Sequence, residues 1–355
     1  LVSEFGAYAF PGYTVKGKAM LRVTRNADFD TNVDDADLEH DFDFSKYMKR
    51  KVGMRSTLDA VRLEIDKNSD RLRSFVLKNL DLKKSFCFKV EHYLDYKFLF
   101  SLGKYFPEEK LSILKYPPFK GRVASELMPP VSLIERVKER DVFLAYPFDS
   151  MDPLVRLLNE CADDKRVVSI KITIYRLASP SKVARILCRA AENGKDVLVL
   201  MELRARFDEA HNLAWAKQLE EAGCTVIYGF EAYKIHSKLT LITKKKGNQL
   251  HYIAQIGTGN YNEKTSEQYT DLSFITTDLG IGSELATVFN NLAIERLTEH
   301  AGNLLVAPLC FKSVLMQEMD AEIEAKRMGK DARIILKCNS ISDKDIIEKI
   351  SEASC

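Results

Sequence analysis

The chain has 355 residues, 46% hydrophobic and 29% charged, a balance that excludes a disordered, collagen-like or disulfide-knotted protein. Lysine and arginine number 53 against 51 aspartates and glutamates, so a net charge of +2 sets up no broad field for nucleic acid or a membrane surface, and any anion site must be local. At about 100–200 residues per domain the length implies two or three domains. No apolar run reaches the roughly 18 residues of a transmembrane segment.

In chain order, an acidic block over 28–43 and a basic one over 46–55 come first, a pairing expected of a solvated hairpin or loop. Alternation over 61–65 predicts a strand, and helices are expected over 70–79 and around 90–100. Pro117-Pro118 and Pro129-Pro130 punctuate the chain and set a domain boundary at 128. From 129 the rhythm becomes α/β. Asp152-Pro153 is expected to cap a helix. A β-branched strand follows over 168–175, and Ser179-Pro180 starts a helix that stops at Asn193-Gly194. The continuous apolar run 197–203 predicts a strand covered on both faces. A helix over 208–222, strands over 225–228, 238–243, 250–256 and 271–276, and a helix over 283–299 complete the unit. Lys244-Lys245-Lys246-Gly247-Asn248 is expected as a solvated hairpin turn. The strand–helix pattern over 333–354 echoes 168–193 and predicts a second βα unit. The expected architecture is an α/β fold with a mixed, mainly parallel sheet flanked by helices. The domains are expected at 1–128, 129–305 and 306–355. The seven cysteines form no CxxC pair, which points to reduced cytoplasmic thiols and gives no zinc site. A start at Leu1 and a stop at Cys355 inside an amphipathic pattern suggest a fragment.

The chemistry concentrates at Ile235-His236-Ser237-Lys238-Leu239, at the start of a strand. His236 and Lys238, two residues apart, share a strand face. The strand after it runs into Gly257-Thr258-Gly259-Asn260. Glycines there let backbone N–H groups approach an anion, and the Thr258 and Asn260 side chains add donors. A neutral imidazole supplies a lone pair for attack on phosphorus, while Lys238, Asn260 and the glycine loop neutralise the phosphoryl oxygens. A lone histidine is ordinarily a packing residue; the combination of HxK with a GTxN loop selects the functional reading. His211 is expected at a helix surface, and Trp215 in the core.

The pairing resembles the phospholipase D superfamily signature, with Thr243 where that signature has aspartate, a departure that weakens a phosphodiesterase reading. Five stretches in order are more specific. Residues 172–176 (ITIYR), 202–209 (ELRARFDE), 234–239 (KIHSKL), 257–265 (GTGNYNEKT) and 269–271 (YTD) resemble polyphosphate kinase of the first class. The resemblance implies phospholipase D-like catalytic subdomains and reversible transfer of the ATP γ-phosphate to inorganic polyphosphate. It makes His236 the phosphorylated residue, Tyr269 a nucleotide-binding residue, and Arg176 and Arg206 the two arginines assigned to the Mg²⁺ site. A guanidinium cannot ligate a cation, so both arginines are expected to clamp phosphate oxygens beside Mg²⁺. Three family elements have no counterpart here: an N-terminal nucleotide-contacting asparagine, and an arginine and second histidine of the second subdomain. The chain alone is therefore expected to be inactive, and the full-length protein a cytoplasmic homo-oligomer using ATP and ADP. Glu202, Asp208 and Glu209 are candidates for binding metal or orienting the arginines. The alternatives are a phospholipase D-like phosphodiesterase and an inactive polyphosphate-binding truncation.

Overall fold

The computed structural model describes residues 5, 8, 11–14, 17–26, 47, 50, 53–66, 70–117, 119–205, 208–229, 233–299 and 302–354. The acidic and basic blocks fall largely outside this set, and Arg206 lies outside it altogether. The chain divides into two compact units, Leu1–Phe119 with Arg206–Ala210, and Lys120–Ala205 with His211–Cys355.

The first unit holds a three-stranded sheet in which β1 (Leu21–Arg25) pairs antiparallel with β2 (Ala60–Asp66), and β2 pairs parallel with β3 (Cys87–Val90). The helix expected around 90–100 is not formed: β3 ends at Val90, and only α2 (Leu99–Leu102) is helical there. The predicted helix over 70–79 is α1 (Asp70–Asn79), and α3 (Glu108–Leu114) follows α2.

In the second unit, α4 (Leu133–Glu139) leads into β4 (Val142–Tyr146) and α5 (Asp152–Asp163). Then come β5 (Val167–Ile174), α6 (Lys182–Glu192), β6 (Asp196–Met201), α7 (Glu209–Glu221), β7 (Thr225–Ile227), β8 (Lys238–Lys246), β9 (Gln249–Gly257), β10 (Asp271–Thr276), α8 (Leu279–Ala293), α9 (Phe311–Arg327) and α10 (Lys344–Ala353). The seven strands lie in the order β4-β10-β9-β8-β5-β6-β7. Only β5/β6 and β6/β7 are parallel; β4/β10, β10/β9, β9/β8 and β8/β5 are antiparallel. The sheet is mixed and flanked by helices as expected, but it is not mainly parallel. One of these pairings is imposed locally: the expected turn at Gly247, with φ of +60°, joins β8 to β9, and so short a hairpin can connect only antiparallel neighbours.

Caps explain the shifted helix boundaries. Asp152 sits in the first turn of α5 rather than at its cap. The Ser181 hydroxyl, not Ser179, caps α6 by accepting from the Ala184 N–H, and the Asp278 carboxylate starts α8 at Leu279 by accepting from the Ile281 N–H. The Glu160 carboxylate on α5 accepts from the backbone N–H groups of Leu133 and Ile134 and from the Ser132 hydroxyl, tying α5 to the start of α4. The strand expected over 333–339 is not formed among the described residues. A strand exists only as half of a pair; here the Arg333 N–H donates to the Glu322 carboxylate, and Ile334 lines a cavity of about 370 Å³ against α9 and α10.

One face of the sheet buries Leu198, Leu200, Leu241 and Ala254 against Leu285, Val288, Phe289 and Leu292 of α8. The close approach of helix to sheet requires Gly282, because a Cβ there would lie 2.5 Å from the Tyr252 Cβ on β9. Gly282→Ala gains about 1 kcal/mol of helix propensity but meets an overpacking cost of about 1–3 kcal/mol against an atom fixed to the sheet backbone. A net loss of stability is expected in urea unfolding; an unchanged or raised midpoint would contradict this packing.

Candidate active site

The sheet topology brings the ends of five strands to one edge. Tyr175 and Arg176 follow β5, Glu202 follows β6, His236 precedes Lys238 at the start of β8, Gly257 ends β9 and Asp271 starts β10. Gly257 pairs with Lys238 on one side and Ser273 on the other, so residues far apart in sequence become neighbours.

His236 lies in the segment just before β8, not within the strand. Lys238 is 3% exposed, and its ammonium lies 3.0 Å from His236 Nδ1 and 3.3 Å from Nε2, and also donates to the His236 carbonyl. The Tyr175 ring meets the imidazole edge to face, with centroids 4.6 Å apart, and both Lys238 Nζ and the Arg176 guanidinium lie 5.4 Å from the Tyr175 ring centre. Partial burial, then the Lys238 charge, then Arg176 and Lys234 push the His236 pKa below its ordinary value. Burial pushes Lys238 down to about 8; Asp271 pulls it up and Arg176 pushes it further down. The imidazole is therefore held neutral, with a lone pair, beside positive charge.

A network of hydrogen bonds fixes this cluster. The Glu202 carboxylate, 1% exposed, accepts from the Ile235 N–H at 2.7 Å and from the Arg204 N–H and Nε at 2.8 and 3.2 Å. Glu202 thus orients Arg204 and holds the segment leading into His236. The Asn212 amide on α7 donates to the carbonyls of Tyr175 and Glu202. The Thr173 hydroxyl donates to the Ser237 carbonyl and accepts from the Leu239 N–H, bracketing Lys238.

In the glycine loop, the Thr258 hydroxyl donates to Asp271 Oδ1 and accepts from the Leu272 N–H, while the Thr258 N–H donates to the Leu272 carbonyl. Both Thr258 donors are thus committed to the fold. Gly259 packs directly on Asp271, where a Cβ would lie 2.8 Å from the carboxylate, and the next residue, Asn260, holds a buried Oδ1 with no hydrogen-bond partner among the described residues. Tyr261, fully buried, anchors the loop by bonding to Thr240 and Gln255. Tyr269 is 61% exposed and shares no hydrogen bond or ring contact with His236, Lys238 or Tyr175 among the described residues. Thr243, at the aspartate position of the phospholipase D signature, is buried within β8 opposite Ser169 and Tyr252. His211 accepts a hydrogen bond from the indole of Trp215, which is half-buried rather than in the core. Among the described residues no group of three His, Cys, Asp or Glu side chains could hold a metal. The donor set at this edge is built for an anion and does not fit a protein-held cation.

The profile for the polyphosphate kinase C-terminal domain 1 matches residues 132–298, that for the polyphosphate kinase middle domain 1–102, and that for the polyphosphate kinase C-terminal domain 2 304–355. The polyphosphate kinase of Staphylococcus haemolyticus is 37% identical over 100% of this chain and 48% of its own length; that of Bacillus cereus is 37% identical over 100% of this chain and 50% of its own. The crystal structure of polyphosphate kinase from Porphyromonas gingivalis superposes with a TM-score of 0.76 at 27% identity, over 99% of this chain and 50% of that one. Fold and comparisons together place the chain in a family built on a mixed α/β sheet. It belongs to the polyphosphate kinase family, and it spans about half the length of the curated relatives it matches.

The Lys238 environment sets a pH dependence. Between about pH 8 and the ordinary lysine value of 10.5 the unfolded chain holds a proton at this position that the folded chain has lost, so this group's contribution to stability rises with pH. The stability difference between the wild type and Lys238→Met, from urea unfolding, is expected to grow in favour of the wild type across that window. A flat or falling difference would contradict a depressed lysine.

Proposed function

We propose that this chain carries the phosphohistidine site of a polyphosphate kinase, which transfers the γ-phosphate of ATP reversibly to inorganic polyphosphate through His236. The observation that carries this reading is the buried Lys238 ammonium 3.0 Å from His236 Nδ1, at a cationic sheet edge, in a chain of this family. A lone pair on the neutral ring attacks the γ-phosphorus. The N–P bond forms as the P–O bond to the β-phosphate breaks, and ADP leaves with that electron pair; the other ring nitrogen keeps its proton. A terminal polyphosphate oxygen then attacks the phosphorus, and the N–P bond breaks to restore the imidazole. Lys238 is within hydrogen-bond distance of both ring nitrogens, so whichever is bonded to phosphorus, the ammonium lies near the transferring oxygens.

In this reading the Asn260 side chain and the backbone of Gly257 and Gly259 complete the oxyanion cradle, with Thr258 holding the loop to Asp271. Tyr269 offers its exposed ring to the adenine, and Arg176 and Arg206 clamp phosphate oxygens. Mg²⁺ supplies charge neutralisation on the nucleotide phosphates when bound there. The same reading divides the chain into part of a head domain at 1–128, a first catalytic subdomain at 129–305 and the start of a second at 306–355, in a cytoplasmic homo-oligomer.

Acid-labile, base-stable label from γ-³²P-ATP is expected on a form extended to the length of the curated relatives, and little of it on this chain alone. His236→Ala should remove the label at least about a hundredfold, as loss of a nucleophile does. Undiminished label in that variant would sink the reading, and hydrolysis of a chromogenic phosphodiester without nucleotide would favour a phosphodiesterase.

A further inference from the structure

The end of β8 opposite Lys238 carries a second concentration of positive charge. Lys244, Lys245 and Lys246 close the strand, and a cavity of about 580 Å³ opens beside them, also lined by Lys138 of α4 and by Arg166, just before β5. No aspartate or glutamate lines it among the described residues. Some of this charge is answered from behind the wall: the Asp164 carboxylate accepts from Lys244 and Arg166, each at 3.0 Å, and Glu135 pairs with Lys138 at 2.7 Å. Lys245 and Lys246 form no ion pair among the described residues. The remaining wall combines the polar Gln249, His251 and Thr277 with an apolar and aromatic stretch. It includes Tyr252, together with Leu250 and Leu279, which are 50% and 65% exposed.

A bare polyanion would account for the lysines and leave the exposed leucines beside them unexplained. An extended membrane contact would not need an enclosed volume. An amphiphilic anion accounts for both halves, and the volume lies within the range of about 300–1,000 Å³ usual for small-molecule sites. We propose that this cavity is a second nucleotide site, binding a nucleoside triphosphate with its phosphates on Lys245, Lys246 and Arg166 and its base against Leu250, Tyr252 and Leu279. Lysine ammonium groups suit a flexible phosphate chain, and the arginine fork adds paired donors. Lys246 lies eight residues along β8 from Lys238, roughly 26 Å at about 3.3 Å per residue, so one bound nucleotide cannot serve both ends of the strand. The site is independent of transfer at His236.

Photo-crosslinking with 8-azido-ATP, followed by peptide mapping, tests this on the chain as it stands. Label is expected on the segments 249–253 or 277–282, competed by ATP about tenfold more effectively than by tripolyphosphate, because only the nucleotide has a base to bury. Lys245→Glu with Lys246→Glu should abolish that label. Lys217→Glu with Lys344→Glu, the same charge change at exposed positions elsewhere, should leave it, as should His236→Ala. Label absent from both segments, equal competition by tripolyphosphate, or equal loss in the two charge-reversed doubles would each overturn the proposal. Loss of the phosphohistidine with the cavity label intact would count against the proposed function alone.

Discussion

A buried ammonium beside an imidazole is a charge that the surrounding protein only partly answers. Lys238 forms no ion pair among the described residues; the carboxylate acting on it is that of Asp271, and the Arg176 charge works in the opposite direction. Burying such a group costs free energy unless a counter-charge arrives. An anion bound at this edge would supply that counter-charge. The positive field therefore does two things at once: it disfavours the protonated imidazole, leaving a lone pair, and it favours an anion at the same place.

The rest of the edge exists to keep this arrangement fixed. Glu202 holds the backbone just before His236, Thr173 brackets the residues on either side of Lys238, and Tyr261 pins the glycine loop. Hydrogen bonds to a charged group such as the Glu202 carboxylate are worth about 1.5–3 kcal/mol each, enough to set the position of a segment that belongs to no strand. Asp271 joins the two halves of the site: it accepts from Thr258 in the loop and acts electrostatically on Lys238, two strands away across β9. The cationic cavity at the other end of β8 uses different means, with Asp164 holding Lys244 and Arg166 from behind while Lys245 and Lys246 stay uncommitted.

Local pattern was enough to locate most of the elements. The alternation over 271–276 marks β10, the KGN turn marks the β8–β9 hairpin, and the apolar run ending at Met201 marks a strand covered on both faces. Strand direction was legible only at that hairpin; elsewhere it depends on which strands become neighbours, and the alternation of β and α suggested parallel pairing where β8/β5, β9/β10 and β10/β4 are antiparallel. The five-residue β4 carried too short a signal to register, and the segment 333–339 had a strand's composition with no edge to pair with. HxK and the glycine loop were legible as a site because both lie within short motifs. Asp271 was legible as the start of a strand and as part of the 269–271 stretch, but its action on Lys238 depends on Gly257 pairing with both β8 and β10. Tyr175 was legible only as part of the 172–176 stretch, because its contact with His236 depends on the juxtaposition of β5 and β8.

The most direct test of a neutral His236 held beside Lys238 is an NMR titration of the His236 ring nitrogens in the wild type and in Lys238→Met. A midpoint below the ordinary histidine value of about 6.5 in the wild type, rising in the variant, is what the arrangement predicts. A wild-type midpoint at or above the ordinary value, unmoved by the substitution, would contradict it.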